Sequence, residues 1–346
     1  MAELVSLDEI RAAARRIAGV AVRTPLVPFR GVPGLLIKPE SLQPTGAFKL
    51  RGAYNAISAL TENPATRPNG VVAHSSGNHG FAVAYAAAAL KLPAAIVVPE
   101  GAAKVKTDAI AAAGAELVYV EPTLPARVEA MRHIARTRGY APIAPFDDRQ
   151  VIAGQGTIGL EIADDLGRAP RAPQAPRPPR AVLVPVGGGG LVSGVAVAVK
   201  ALMPETSVIG VEPELAADAR ESLRKGTRVA WPPADTARTS ADALRAEQVG
   251  ELTFPHIKEF VDDIVTVTEE EILRAIRRLA LEARLVAEPG GVVAVAACLF
   301  RSPAELGLAN GADSDAAPVV AVLSGGNIDP ALLARVLAAE PESYTK

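Results

Sequence analysis

The stretch Val71-Val72-Ala73-His74-Ser75-Ser76-Gly77-Asn78-His79-Gly80 decides the fold. A short β-branched run, a turn of small residues and the alanine-rich segment from Phe81 to Leu90 read as strand, turn and helix. The same order recurs where Ala181-Val182-Leu183-Val184-Pro185-Val186 runs through Gly187-Gly188-Gly189-Gly190 into Leu191-Val192-Ser193-Gly194. Turns of this kind point backbone N–H groups at an anion, helped by the helix N-terminus. Four consecutive glycines let the backbone come close to a phosphate. Taken alone, a glycine tetrad is equally well read as a flexible turn.

Working outward, short Val/Ile/Ala runs alternate with longer helical stretches. Val71 to Ala73, Ala95 to Val98 and Glu116 to Val120 read as strands. Phe81 to Leu90, Ala103 to Ala113 and Ala126 to Arg138 read as helices, with Gly114 as a stop. A second set of strands follows at Ala181 to Val186, Ser207 to Val211, Ile264 to Val267 and Val319 to Leu323. The pattern predicts an α/β fold: two open, twisted parallel sheets flanked by helices, with a cleft between the units. Ser6 and Glu9 form a capping box for a first helix through about Ile17, broken by Arg23-Thr24-Pro25-Leu26. The proline- and arginine-rich run 168–180 reads as a solvated surface loop, and the segment from Ala230 to about Gly250 lacks periodicity.

The run Ser41-Leu42-Gln43-Pro44-Thr45-Gly46-Ala47-Phe48-Lys49-Leu50-Arg51-Gly52-Ala53 puts one lysine beside an aromatic at a helix start. Leu35-Leu36-Ile37-Lys38 before it fits a strand, and Thr45-Gly46 offers a cap and a turn. Lys49 in the first turn, near the positive end of the helix dipole and partly desolvated by Phe48, is expected to have a lowered pKa. A lysine made neutral in this way can form a Schiff base. On this stretch alone, an ordinary surface lysine fits as well.

The chain has 346 residues, 49% hydrophobic and 21% charged, a soluble globular balance with room for one large or two moderate domains. A formal net charge of -2 with no basic stripe argues against nucleic acid as the main partner. No apolar run approaches a membrane span and no signal-peptide pattern opens the chain. The single cysteine, Cys298, lies in an apolar helical run, cannot close an internal disulfide and fits a reducing, cytoplasmic setting.

Five motifs in order carry a resemblance: Gly46-Ala47-Phe48-Lys49-Leu50-Arg51-Gly52-Ala53, Ser75-Ser76-Gly77-Asn78-His79-Gly80, Ile152-Ala153-Gly154-Gln155-Gly156-Thr157, Pro185-Val186-Gly187-Gly188-Gly189-Gly190-Leu191 and Leu323-Ser324-Gly325-Gly326-Asn327. From about Ser6 to about Tyr344 the chain resembles fold-type II enzymes that use pyridoxal 5′-phosphate. Within that superfamily it is most similar to the serine/threonine dehydratase and serine racemase family. The resemblance implies a discontinuous large cofactor-binding domain, residues 1–60 and 149–346, a small domain, 70–147, inserted into it, and the cofactor in the cleft. It also implies a homodimer, and a chain without the C-terminal regulatory domain of feedback-controlled threonine dehydratases.

The resemblance assigns roles residue by residue. Lys49 would form the Schiff base with the cofactor and, once released, act as base for the α-proton. Phe48 would pack beside the pyridine ring, and Gly187, Gly188, Gly189, Gly190 and the Leu191 N–H would hold the phosphate. Asn78 would bond the ring's phenolic oxygen, and Ser324 would face the pyridine nitrogen. A neutral hydroxyl there makes the ring a weaker electron sink than a carboxylate would, which favours prompt loss of a β-hydroxyl. Ser75, Ser76, Asn78 and His79 would bind the substrate carboxylate, His79 being equally open to a structural role. Arg127 matches an arginine that approaches substrate in racemases; an exposed helix arginine is the alternative. Ser76 matches the second acid/base of racemases, where many dehydratases carry alanine. In the racemase branch the positions of Glu212, Ala216 (through its carbonyl) and Asp218 bind a divalent cation, and all-oxygen ligands suit Mg²⁺, Mn²⁺ or Ca²⁺. The alternative is a helix start with acidic first-turn residues. Ser240-Ala241-Asp242-Ala243-Leu244 departs from the family's Ala-Asp-Gly, Ala243 replacing a glycine close to the cofactor.

These assignments imply an L-threonine/L-serine dehydratase acting on a small-molecule β-hydroxy amino acid to give a 2-oxo acid and ammonia. The alternatives are a serine or aspartate racemase with dehydratase side activity, a 3-hydroxyaspartate dehydratase, and a non-catalytic module on the same scaffold.

Overall fold

The computed structural model describes residues 3–102, 104–166, 177–308 and 317–339. Parallel strands require crossover connections, and the alternating pattern supplies helices for them. In chain order the first half runs α1 (Leu7–Ile17), β1 (Val27–Pro28), β2 (Leu35–Pro39), α2 (Lys49–Thr61), β3 (Gly70–His74), α3 (Asn78–Ala89), β4 (Ala94–Pro99), α4 (Lys104–Ala112), β5 (Glu116–Val120), α5 (Leu124–Arg138) and β6 (Tyr140–Pro142). The second half runs α6 (Arg149–Leu166), β7 (Ala181–Pro185), α7 (Gly190–Leu202), β8 (Ser207–Pro213), α8 (Asp218–Lys225), α9 (Pro233–Thr236), α10 (Thr253–Phe260), β9 (Asp263–Val267), α11 (Glu269–Arg278), α12 (Pro289–Phe300), β10 (Val319–Leu323) and α13 (Pro330–Ala338).

Two sheets result, in the strand orders β1-β2-β10-β7-β8-β9 and β5-β4-β3-β6. Every pairing is parallel except the short β1–β2 contact. The inner strands are apolar on both faces because helices cover both faces. In the larger sheet, Leu183, Ile209 and Ala321 pack with α11 and α12, while Val182, Val208 and Val320 pack on the other side with α6 and α7. In the smaller sheet, Val71, Ala73 and Ile96 meet α2 and α3, and Val72, Ala95 and Val97 meet Ile134 of α5. Among the described residues no helix is long and apolar enough to cross a membrane.

The capping box at Ser6 and Glu9 is present, and α1 ends at Ile17 as expected. The Thr45 cap is not: α2 begins with Phe48 in the cap position and no side chain caps it. Thr45 instead donates to the Ala47 carbonyl at 3.4 Å, and Gly46, at φ +70°, makes the turn. Helix α3 starts three residues before the expected Phe81, since Asn78, His79 and Gly80 already have helical geometry. In the aperiodic segment from Ala230 the only α-helix among the described residues before α10 is α9. Of the proline- and arginine-rich run, residues 168–176 lie outside the described residues.

Helices α2, α6 and α7 cross at glycines. A Cβ at Gly154 would lie 2.6 Å from the Gly52 Cα and 2.7 Å from the Arg51 carbonyl, and one at Gly194 would lie 2.2 Å from the Ile152 carbonyl. These obstacles are backbone, which cannot rotate aside. Gly154→Ala should therefore destabilise the protein by about 1–3 kcal/mol through overpacking, seen as a lower urea midpoint with an unchanged slope. An unchanged midpoint would mean that the helices are free to separate.

Candidate active site

In a parallel sheet the carboxyl ends of the strands open onto the loops that bind ligands. Here β3 is followed by Ser75-Ser76-Gly77, β7 by the glycine tetrad and β10 by Ser324, and all three turns line one cavity of about 350 Å³. Phe48 and Lys49 reach the same cavity from the start of α2. The turn after β10 is stitched to the turn that leads into α2. Phe48 N–H donates to the Ser324 carbonyl at 3.0 Å, Gly326 N–H to the Gly46 carbonyl at 2.9 Å, and Asn327 Nδ2 to the Thr45 carbonyl at 2.9 Å.

Lys49 Nζ donates to the Pro145 carbonyl at 2.6 Å and lies 5.1 Å from the centre of the Phe48 ring. Enclosure by the walls of the cleft pulls its pKa from 10.5 down to about 8, partly offset by the nearby Glu288 carboxylate. A useful fraction of the amine is therefore neutral near neutral pH.

The glycine tetrad turns β7 into α7, with Gly189 at φ +92°. A Cβ at Gly188 would lie 2.4 Å from the Phe146 ring, so that ring closes tightly over a position only glycine can fill. The first N–H groups of α7 have no intrahelical acceptor and make an anion site beside Lys49. A second helix N-terminus, that of α3, meets the same cavity at Asn78 and His79.

His79 is buried, and its Nε2 lies 2.9 Å from the Ile143 carbonyl. Burial above all, then the Lys49 and His74 charges, lowers its pKa to about 3, so the ring is neutral and donates to that carbonyl. What His79 offers a ligand is its backbone N–H; the side chain is structural. Ser75 Oγ accepts from Gly77 N–H at 3.3 Å. Ser76 and the half-buried Arg127 line the cavity, Arg127 Nε donating to the Thr123 carbonyl at 3.3 Å. Ala243, in place of the expected glycine, lies on the wall with Leu244, and a Cβ at Gly290 would sit 3.2 Å from its methyl.

Sequence reasoning missed Glu288. It is buried, precedes Pro289 at the start of α12 and accepts from Asn78 Nδ2 at 2.6 Å. Asn78 Oδ1 in turn accepts from Asn327 Nδ2 at 2.8 Å. One Asn78 N–H remains for a ligand. The sequence signal was a Glu-Pro-Gly-Gly helix start following an apolar run, but nothing local connects it to Lys49.

Glu212, Ala216 and Asp218 lie outside this cavity. All three are buried, and Glu212 accepts from the N–H groups of Ala219 and Arg220 at 3.0 and 2.8 Å, capping α8 from a distance. Among the described residues neither Asp218 carboxylate oxygen has a completed hydrogen bond, although its own amide and that of Val249 face it. Burial raises the Asp218 pKa to about 7, and burial together with the Asp218 charge raises that of Glu212. No group of three or more His, Cys, Asp or Glu side chains suited to a metal occurs among the described residues, so a cation here would need the Ala216 carbonyl.

A family model described as pyridoxal-phosphate dependent enzyme matches residues 3–325. The chain is similar to the L-threonine ammonia-lyase of Thermotoga maritima, 41% identical over 96% of this chain and 78% of that one. It is also similar to the serine racemase of Arabidopsis thaliana, 37% identical over 95% and 94% of the two chains. A solved structure of a T.th. threonine deaminase superposes with a TM-score of 0.82 at 45% identity, covering 94% of this chain and 99% of that one.

The enclosed amine has a thermodynamic signature. The folded pKa of Lys49, about 8, lies below its ordinary 10.5, so the folded chain gives up this proton first. Stability should rise with pH between those two values, and the whole penalty applies below about 8. In the ligand-free protein Lys49→Met should raise stability at neutral pH by up to about 3 kcal/mol. The gain should shrink as pH rises toward 10.5, measured as the difference in thermal midpoint. A midpoint difference that ignores pH would mean that the amine is hydrated.

Proposed function

The chain belongs to the pyridoxal-phosphate dependent enzyme family, and on that premise we propose that it is an L-threonine/L-serine ammonia-lyase, removing water from a β-hydroxy amino acid to give a 2-oxo acid and ammonia. The observation that carries the reading is the convergence of a low-pKa lysine, a glycine-lined helix N-terminus and a serine hydroxyl on one cavity. This donor set fits pyridoxal phosphate: an amine for the aldehyde, the N–H groups of α7 for the phosphate, and Ser324, whose hydroxyl has no protein partner among the described residues, for the ring nitrogen. When bound, the cofactor supplies the electron sink that loosens the amino acid's Cα–H bond.

The chain's own residues do the rest. Lys49 would hold the cofactor and then take the α-proton on Nζ. Its lowered pKa leaves it able to accept that proton near neutral pH. Ser75, Ser76, Asn78 and the His79 N–H, around the start of α3, would hold and orient the substrate carboxylate. Asn78 would donate its remaining N–H to the ring's phenolic oxygen, anchored from behind by Glu288 and Asn327. Phe48, 5.1 Å from the amine, and Phe146, close over Gly188, would shield the amine and the glycine turn from water. Arg127, which lines the cavity, would be a further anion donor. The ammonia-lyase and deaminase similarities support this reading, and the serine racemase similarities support a racemase one. Racemisation stays as the second reading because Ser76, which lines the cavity, could return a proton to the other side of the α-carbon.

The four-stranded sheet, drawn from Gly70 to Pro142, supports a small unit of residues 70–147 inserted into a large one of 1–60 and 149–346. The reading also carries a homodimer in a cytoplasmic setting. We infer further that Glu212, the Ala216 carbonyl and Asp218 hold Mg²⁺, Mn²⁺ or Ca²⁺. The support is the pair of unsatisfied Asp218 oxygens, which a divalent ion would satisfy.

Two experiments test these proposals. L-Threonine and L-serine should release oxo acid. Lys49→Ala should abolish release, whereas Ser76→Ala should spare it and remove any racemisation, read by chiral chromatography of the residual serine. Loss of a catalytic acid or base costs about a hundred- to ten-thousandfold, so an equal loss in both variants would reassign Ser76 to carboxylate binding. Absence of oxo acid from threonine, serine and 3-hydroxyaspartate would overturn the activity. For the cation, a chelator should lower the thermal midpoint and Mg²⁺ or Mn²⁺ should restore it. A cation at a hundredfold excess over its dissociation constant stabilises by about 2.7 kcal/mol. Glu212→Ala should abolish that rescue. A midpoint indifferent to both additions would leave the acidic pair as a helix start.

A further inference from the structure

Arg51 is the largest fully buried side chain among the described residues, and it lies two positions after Lys49 on the first turn of α2. Its Nε and Nη2 grip Glu40 at 2.7 and 2.9 Å, and its Nη1 and Nη2 grip Glu161 at 2.7 and 3.0 Å. Nη1 also reaches Thr157 at 3.2 Å, and Nη2 the Val22 carbonyl at 3.1 Å. All five donors of the guanidinium are thereby used. Lys38, also fully buried, closes the cluster by donating to Glu161 and to the Thr24 carbonyl, each at 2.6 Å. Thr24 and Gln43 complete Glu40, at 2.7 and 3.0 Å. Two cations thus face two carboxylates in the interior, and nothing in the reaction uses any of them.

Stability is a poor reason for such a cluster. Desolvating four ions offsets most of their mutual attraction, and apolar residues of the same volume usually do as well. What a forked guanidinium adds is geometry, since two bidentate carboxylates fix a position that packing alone would leave loose. The elements it joins are informative. Glu40 follows β2, Glu161 and Thr157 belong to α6, and Arg51 N–H bonds the Phe48 carbonyl at 3.0 Å. The start of α2 has no capping side chain, so the fork ties the first turn to β2 and α6 by a route other than capping. Beyond it, Lys49 Nζ has one protein hydrogen bond among the described residues, to the Pro145 carbonyl.

We propose that the Arg51–Glu40–Glu161–Lys38 cluster is the positioning device for Lys49, setting the height and rotation of the first turn of α2 so that the amine meets the cofactor in register. The inference rests on the reading of Lys49 as the lysine that holds the cofactor. Arg51 touches neither substrate nor cofactor and is a positioning residue. Burial would weaken its charge, but Glu40 and Glu161 more than reverse this and keep the guanidinium firmly protonated. Glu40 is held ionised by Arg51 and Lys38 against the opposing effect of its burial.

The test compares cofactor-loaded Arg51→Lys and Glu161→Gln with the wild type, and with Ile272→Val, a core change in α11 far from the cleft in sequence. Arg51→Lys keeps a cation but loses the fork; Glu161→Gln keeps the shape but loses one charge. In both, kcat should fall about ten- to a hundredfold, the scale of an ångström's misplacement, while KM changes less than about threefold. The visible circular dichroism of the bound cofactor, which reports how rigidly it is oriented, should weaken in both and stay unchanged in Ile272→Val. Folded variants that keep wild-type kcat and visible dichroism would overturn the positioning role. So would failure of both variants to fold, which would make the cluster purely structural. A wild type that binds no cofactor would remove the Lys49 reading and this inference together, an outcome distinct from unchanged variants.

Discussion

A primary amine enclosed by protein loses part of its affinity for a proton, and the cleft is arranged around one such amine. Lys49 must be close enough to two helix N-termini to share a ligand with them, yet kept from the carboxylates that would restore its charge. The carboxylate near it, Glu288, is hydrogen-bonded to Asn78, and the direct partner of the amine is the neutral Pro145 carbonyl. Burial therefore outweighs attraction, and the pKa settles near 8. A salt bridge at this point would give a more stable protein and a poorer base.

That constraint explains why so many backbone contacts meet at the start of α2. The helix begins without a side-chain cap, and its first residues are held by the turn after β10, through Ser324 and Gly326. The strands contribute their carboxyl ends, which in a parallel sheet lie on one edge. Glycines appear where two backbones or a backbone and a ring come together: Gly188 beneath Phe146, Gly154 against Gly52. The close approach of α2, α6 and α7 is thus the same design that brings the lysine and the glycine tetrad to one cavity.

Much of this was legible before any coordinates. The period of the apolar runs gives the two parallel sheets, because helical crossovers are the only short way to join such strands. Two turns of the cleft were legible because each is a local motif, strand then small residues then helix; the Ser324 turn was legible through the resemblance. What escaped was non-local. Thr45 has the chemistry of a cap, but its hydroxyl is turned to the Ala47 carbonyl by the Gly46 turn. Glu288 stands more than two hundred residues from its partner Asn78. Arg51 was visible inside its motif, but Glu40 and Glu161, which give it meaning, lie in an unremarked turn and an ordinary helix. A residue's own neighbours in the chain reveal propensity; they do not reveal which charges the fold will bury together.

Three carboxylates withdrawn from water, Glu40, Glu212 and Asp218, make the same point through their proton affinity. Glu40 and Glu161 each face cations, and Glu40 is driven below its ordinary pKa despite complete burial. Glu212 and Asp218 are also withdrawn but face each other, and both are driven up. Glu40 and Glu212 are the same residue type at the same burial, so the sign of the shift comes from what the remaining valences meet. The first pair is a closed cluster with every strong donor matched, and its chemistry is finished once the chain has folded. The second leaves both oxygens of Asp218 without a completed hydrogen bond among the described residues, open to protonation or an incoming cation. Buried ions therefore divide by completeness, and it is the incomplete pair, like the incompletely partnered lysine in the cleft, that the fold leaves open to chemistry from outside.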